Sequence, residues 1–149
     1  MDQVIYNLAW RKYFSFLGGF SGYNQIQLAP KDQGKTTFTC PCVRYAYRVL
    51  PFGLCNAPAT FQRAVLGIFS DLIHDCVEVY MDDFTVYANT FEEALENLEK
   101  VLKICKEANL SLSHEKCFMM FTKGIVLGHH ISGDGIKVDK SNVEVISNY

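Results

Sequence analysis

The spacing of apolar residues changes period several times along this chain. Val4, Ile5 and Leu8 repeat at helical spacing and predict a helix over residues 3–12. Tyr13 to Leu17 is an aromatic, strand-like run, followed by a turn region at Gly18-Gly19 and Ser21-Gly22. Polar and apolar residues alternate from Asn24 to Leu28. Residues 30–34 form a turn, and residues 36–40 and 45–50 read as two strands. Asn56 is a good helix N-cap, and Pro58 is tolerated in a first turn. Phe61, Val65, Ile68 or Phe69, and Leu72 then recur on one side of a helix that reaches about His74.

Residues 77–81 and 84–88 are two β-rich runs separated by two residues, which predicts a tight hairpin with Asp82 and Asp83 at its tip. Thr90 and Glu93 form a capping box. The helix behind them carries Leu95, Leu98, Leu102 and Cys105 on one face, and Asn109 stops it. Short strands are expected at residues 110–112, 117–121 and 125–131. Gly133 to Gly135 turns the chain into residues 136–138, and a last short helix begins near Lys140. Strands and helices in this order predict an α+β fold, an antiparallel sheet with helices packed on one face. No repeat, linker or low-complexity tract interrupts it, so residues 1–149 read as one compact unit.

Composition narrows the picture. A chain of 149 residues that is 49% hydrophobic and 20% charged can bury a real core and is not of the disordered class. Its net charge of -2 gives no global basic signature, so any nucleic-acid face must be local. No apolar run is long enough to span a membrane, and Met1-Asp2-Gln3 lacks the layout of a signal peptide. Absent such signals, a cytoplasmic or nuclear location is expected. The six cysteines include no C-x-x-C pair and read as small apolar residues in a reducing compartment. His129 and His130 are adjacent, point to opposite sides of a strand, and are not read as a metal site.

The acidic hairpin is the chemical signal. Two neighbouring carboxylates repel unless a cation offsets them. Mg²⁺ suits such a tip, because it takes hard oxygen ligands and uses one or two carboxylates together with substrate phosphates. Two-metal phosphoryl transfer needs such carboxylates, and a third is expected from another strand. Asp-Asp in a turn is also ordinary turn chemistry, so the surroundings have to decide.

Tyr80-Met81-Asp82-Asp83 between apolar strands resembles the signature of reverse transcriptases. Residues 50–62, reading Leu-Pro-Phe-Gly-Leu-Cys-Asn-Ala-Pro-Ala-Thr-Phe-Gln, are similar to the segment before the palm helix of gypsy-type LTR retrotransposon Pol proteins. Residues 20–26 resemble their nucleotide-site segment, Leu127-Gly128-His129 their primer-grip strand, and residues 135–139 the stretch that follows. The resemblance runs in order along essentially the whole chain. It implies a polymerase palm that runs into the connection to the thumb at about residues 133–149. The implied reaction is Mg²⁺-dependent, template-directed DNA synthesis on RNA or DNA, with a template-primer and a dNTP as partners. Two Mg²⁺ ions are implied, held by Asp82 as the closer ligand, by Asp83, and by the backbone carbonyl of Gly19. Ser21 and Gly22 are implied to face the triphosphate, Tyr23 to stack under the sugar, and Phe52 to shape the nucleotide pocket. Lys116 matches a lysine that protonates the leaving pyrophosphate; its plainer reading is a solvated lysine.

Counting back from Tyr23, the aspartate expected at the end of the preceding strand falls on Gly18. Impaired metal binding and little or no polymerase activity are therefore expected. Val43 stands where a turn glycine is usual, so a strained turn is expected there. Basic fingers, most of a thumb, an RNase H and an integrase are expected to lie outside the chain. The alternative is a non-catalytic relic that binds nucleic acid or a protein partner.

Overall fold

The computed structural model describes residues 2–138. The short helix expected near Lys140, and most of the expected connection to the thumb, fall outside the described residues. The elements are α1 (Asp2–Leu8), β1 (Tyr13–Gly18), α2 (Pro30–Gln33), β2 (Phe38–Thr39), β3 (Arg44–Tyr45), α3 (Ala57–Ile68), β4 (Val77–Tyr80), β5 (Asp83–Ala88), α4 (Phe91–Glu107), β6 (Phe118–Phe121), β7 (Lys123–Val126), β8 (His129–Ser132) and β9 (Gly135–Val138).

The main sheet runs β4-β5-β1-β6 and is antiparallel throughout. One face lies under α3 and α4. Leu17, Val77, Val79, Phe84 and Val86 pack there against Phe61 and Val65 of α3 and Leu98, Val101 and Cys105 of α4. The other face lies under α1 and a three-stranded sheet, β7-β8-β9, where Phe14 and Tyr87 meet Leu8 and Ile131. The expected α+β palm is present, with α3 and α4 on one face; α1 and the second sheet, which cover the other face, depart from the expected packing of helices on one face only.

Several boundaries moved, each for a local reason. The first helix ends at Leu8 rather than residue 12, because Trp10 adopts a left-handed φ of 68°. Residues 30–34, expected as a turn, begin with a four-residue helix that has Pro30 in its first turn. The run at 45–50 leaves the β2–β3 ribbon after Tyr45. Its later part bonds back to the earlier segment through Leu28 N–H to Arg48 O at 2.9 Å and Leu50 N–H to Ile26 O at 2.9 Å. The palm helix stops at Ile68, not His74, which itself has φ 67°. The capping box is present, Thr90 Oγ1 accepting from Glu93 N–H at 3.2 Å. Behind it the buried stripe is Ala94, Asn97, Leu98, Val101 and Cys105, and Leu95 faces solvent. Val43 is not strained: Pro41 and Cys42 take the bend, and Val43 is not among the residues of positive φ.

Candidate active site

The site forms where β1 ends between its two neighbours. Gly18 pairs with Asp83 of β5 on one side. On the other, its carbonyl accepts from Ser113 N–H at 2.8 Å, and Gly19 bridges to Leu112. Residues 113–117 thus sit beside the acidic hairpin, where a 3-10 turn over His114–Lys116 presents Lys116.

The hairpin differs from expectation by one residue. Tyr80 pairs with Asp83, so Met81 and Asp82 form the two-residue turn and Asp83 is the first residue of β5. Met81 takes φ 55°, the conformation that a two-residue hairpin turn requires at its first position. Asp82 therefore leaves the sheet at the tip, while Asp83 stays in register opposite Gly18. Asp83 stays exposed to water, but partial desolvation and then the neighbouring Asp82 charge push its carboxyl above its ordinary range, and Lys116 pulls it back.

Lys116 Nζ lies 3.6 Å from Asp82 Oδ2. Its stem crosses Gly18. A β-carbon placed on Gly18 would sit 2.9 Å from both Cβ and Cδ of Lys116, and 3.2 Å from Asp83 Oδ1. The Gly18 backbone is outside the left-handed region, so any residue type could adopt its φ; the lysine stem is what restricts the space. Gly19 N–H donates to the backbone carbonyl of Asp82 at 3.3 Å, which ties the end of β1 to the tip.

Of the residues expected at the nucleotide, Tyr23 and Phe52 are in ring contact, and Ser21 and Gly22 directly precede Tyr23. Ser21 is left-handed (φ 45°, ψ 50°) and opens a 3-10 turn over Gly22–Gln25. The Tyr23 ring lies 4.8 Å from Phe52 and 5.8 Å, edge-on, from Phe61. Phe52 is exposed. Gly22 has a packing reason to be glycine besides any approach of phosphate: a β-carbon there would meet the Phe61 ring at 2.9 Å. Phe61 also lies 3.3 Å from a β-carbon placed on Gly19. Phe61 read only as a core helix residue in the sequence.

Gln25 was missed altogether. Its side chain accepts from Ser111 N–H at 2.8 Å and donates to Ser111 O at 3.0 Å and to Phe20 O at 2.6 Å, so one amide fastens the nucleotide-site segment to the segment leading to Lys116. No signal in the polar–apolar pattern distinguished it.

Leu127-Gly128-His129 is not part of one strand. Leu127 (φ 51°) and Gly128 (φ 75°) are the two central residues of the tight β7–β8 turn, and only His129 is in β8. His129 Nδ1 donates to Leu127 O at 2.9 Å. Leu127, Tyr80, Asp83 and Lys116 line one cavity of about 650 Å³, so Leu127 of the β7–β8 turn and Asp83 border one space.

The family described as "Reverse transcriptase (RNA-dependent DNA polymerase)" matches residues 3–131. The chain belongs to the reverse transcriptase family. This reverse transcriptase chain is 34% identical over 149 residues to the retrovirus-related Pol polyprotein from transposon 297 of Drosophila melanogaster, covering all of this chain and 14% of that protein. It is 35% identical, again over its full length, to the Pol polyprotein from transposon gypsy of the same organism, covering 14% of it. The chain thus spans about one seventh of these curated relatives. Among solved structures, the foamy viral protease-reverse transcriptase in complex with double-stranded DNA superposes with a TM-score of 0.86 at 28% identity, over 99% of this chain and 26% of that one. The foamy viral enzyme in complex with an RNA/DNA hybrid gives 0.83 at 28% identity, over 97% of this chain and 20% of that one. This is a reverse transcriptase domain of the retrotransposon Pol type, and its polymerase palm fold is that of the foamy viral enzyme. No described helix is long and apolar enough to cross a membrane.

Among the described residues no group of three or more His, Cys, Asp and Glu side chains is arranged to hold a metal ion. Among the described residues no third such side chain joins Asp82 and Asp83, Gly18 brings no carboxylate, and the Lys116 ammonium lies 3.6 Å from Asp82 Oδ2. This donor set does not fit a two-ion site.

Proposed function

We propose that the chain is the palm of an RNA-directed DNA polymerase whose own copy is impaired at the chemical step. The observation that carries this reading is the Gly18–Asp83 pair: a palm-type sheet brings residue 18 directly opposite the acidic hairpin, and residue 18 has no carboxylate. The residues around that gap support binding of a template-primer and a nucleotide. Tyr23 and the exposed Phe52 offer two rings tilted 51° to one another, Ser21 in a left-handed conformation opens the turn that carries Tyr23, and Leu127 of the β7–β8 turn lines the same cavity as Asp83. In this reading the first two groups hold the incoming dNTP and the third holds the primer. Lys116 is next to Asp82 and within the site, which suits a proton donor to a leaving group, although it is committed to Asp82 in this structure. A divalent ion would add Lewis-acid stabilisation of phosphoryl transfer, worth several kcal/mol. With one ligand fewer, a loss of about 10²-fold or more is expected.

The test replaces the palm of an active full-length transposon Pol relative with this segment and measures primer extension on an RNA template in Mg²⁺. The Gly18 form is compared with Gly18→Asp, and Asp82→Ala serves as the blank. Extension by the Gly18→Asp form at least about 10²-fold above the Gly18 form is expected. Equal extension by both, above the blank, would show that another group completes the site and would overturn the impaired reading.

A further inference from the structure

Among the described residues, the side chain nearest to a β-carbon placed on Gly18 is that of Lys116, whose ammonium lies at the acidic tip. The stem of Lys116 lies across the α-carbon of Gly18, so closely that a β-carbon there would come within 2.9 Å of its Cβ and Cδ. Its Nζ then ends 3.6 Å from Asp82 Oδ2. Only a residue without a side chain at position 18 leaves that path open. The 3-10 turn that carries Lys116 is held in place independently, through Ser113 N–H on Gly18 O at 2.8 Å and through the Gln25–Ser111 amide bonds. The lysine is therefore aimed at the tip by the backbone.

We propose that Lys116 has taken over the charge of the metal: its ammonium is the resident cation of the Asp82–Asp83 tip, and it excludes divalent ions from it. This rests on the reading of residue 18 as a lost ligand position. Adjacent carboxylates need a cation nearby, and a tethered ammonium is present at every ion concentration. Both side chains keep access to water, at 53% exposure for Lys116 and 38% for Asp82, so the pair competes with Mg²⁺ without sealing the site. The proposal also makes Gly18→Asp more than a simple restoration. The new side chain must push the Lys116 stem away before a metal can enter.

The experiment uses the whole chain and MgCl2 or MnCl2 alone as probe, with no nucleic acid. Binding is read by titration calorimetry, and by Mn²⁺-induced broadening of the Asp82 and Asp83 amide signals in NMR. The unaltered chain is expected to show broadening no stronger than its other exposed carboxylates. Lys116→Met removes the charge and keeps the stem, and is expected to bind either ion about tenfold tighter or more at the tip. Lys116→Gln carries the same comparison should Lys116→Met not fold. Equal broadening and equal affinity with and without the lysine charge would overturn the proposal. Gly18→Asp separates the two readings. If it gains metal affinity while Lys116→Met does not, residue 18 is the lost ligand and Lys116 is a bystander. If Lys116→Met gains affinity while Gly18→Asp does not, the lysine guards the tip and the lost-ligand reading fails.

Discussion

At Asp83, the same carboxylate that the family reading makes a metal ligand is disfavoured in its charged form by the fold. Partial desolvation of this exposed residue and the Asp82 charge raise its pKa, and Lys116 opposes them. A carboxyl whose folded pKa lies above its unfolded value binds more protons folded than unfolded in that interval. Its effect therefore weakens the fold as pH rises through the folded pKa, and is relieved as pH falls toward the ordinary value of 3.8. Asp83→Asn should raise the melting temperature near neutral pH, and the gain should shrink progressively in acid and vanish below about the ordinary carboxylate pKa. Thermal melts of both forms across pH check this, and a gain that grows in acid would contradict it. Nothing in the Asp82-Asp83 dipeptide alone tells the two residues apart. The difference arises because the turn takes Met81 and Asp82, which leaves Asp83 in the sheet beside Gly18.

Elements meet tightly where the end of β1 and the Gly22–Gln25 turn press on α3. The ring of Phe61 fills the space that β-carbons at Gly19 and Gly22 would need. Gly22→Ala would place a methyl 2.9 Å from that ring. The ring or the turn must move, which is expected to reduce stability by about 1–3 kcal/mol. Denaturant unfolding of Gly22→Ala measures the loss. Gly22→Ala combined with Phe61→Leu should recover part of it, because the two effects share one contact. No recovery would place the cause in the backbone rather than in the ring. Helix α3 and the acidic hairpin were visible in the sequence because their apolar periods are long and regular. The split of the expected strand 125–131 into β7 and β8 was not. Its turn is Leu127-Gly128, and a leucine in a left-handed conformation carries no turn signal.

Across the whole molecule, α1 is joined to the far edge of the main sheet by a buried polar contact. Asn7 Nδ2 donates to Glu78 Oε1 at 2.8 Å, and His74 Nδ1 lies 3.1 Å from the same oxygen. Glu78 is 3% exposed, in a strand that otherwise reads as apolar. A buried acceptor that loses a donor is expensive to leave unsatisfied, so Asn7→Ala should destabilise the fold by about 1–3 kcal/mol. Urea unfolding tests this, and a change under about half a kcal/mol would mean that water or His74 replaces the amide. The hydroxyl of Tyr87, on the same side of the sheet, is buried without a hydrogen-bond partner among the described residues, and its pKa is pushed up to about 12, first by burial. No pattern in the sequence joins Asn7, His74 and Glu78, which lie up to 71 residues apart.

The sequence by itself determined the class of fold, the order of its principal elements, the acidic hairpin, the aromatic residues around Tyr23 and the family. These are local patterns: apolar periods of two or 3.6 residues, capping residues, and short runs whose side chains act together. It also placed Gly18 at the end of the strand before the Ser21-Gly22-Tyr23 segment. The tertiary structure alone decided what Gly18 means physically. Pairing in register set it against Asp83, and backbone bonds from Ser111 and Ser113 brought Lys116 across it. These contacts join residues 65 to 98 positions apart, and their distances depend on how the strands and the two sheets pack. Sequence spacing carries no information about such distances, which is why the lysine at the tip could be read as a solvated residue until the fold placed it.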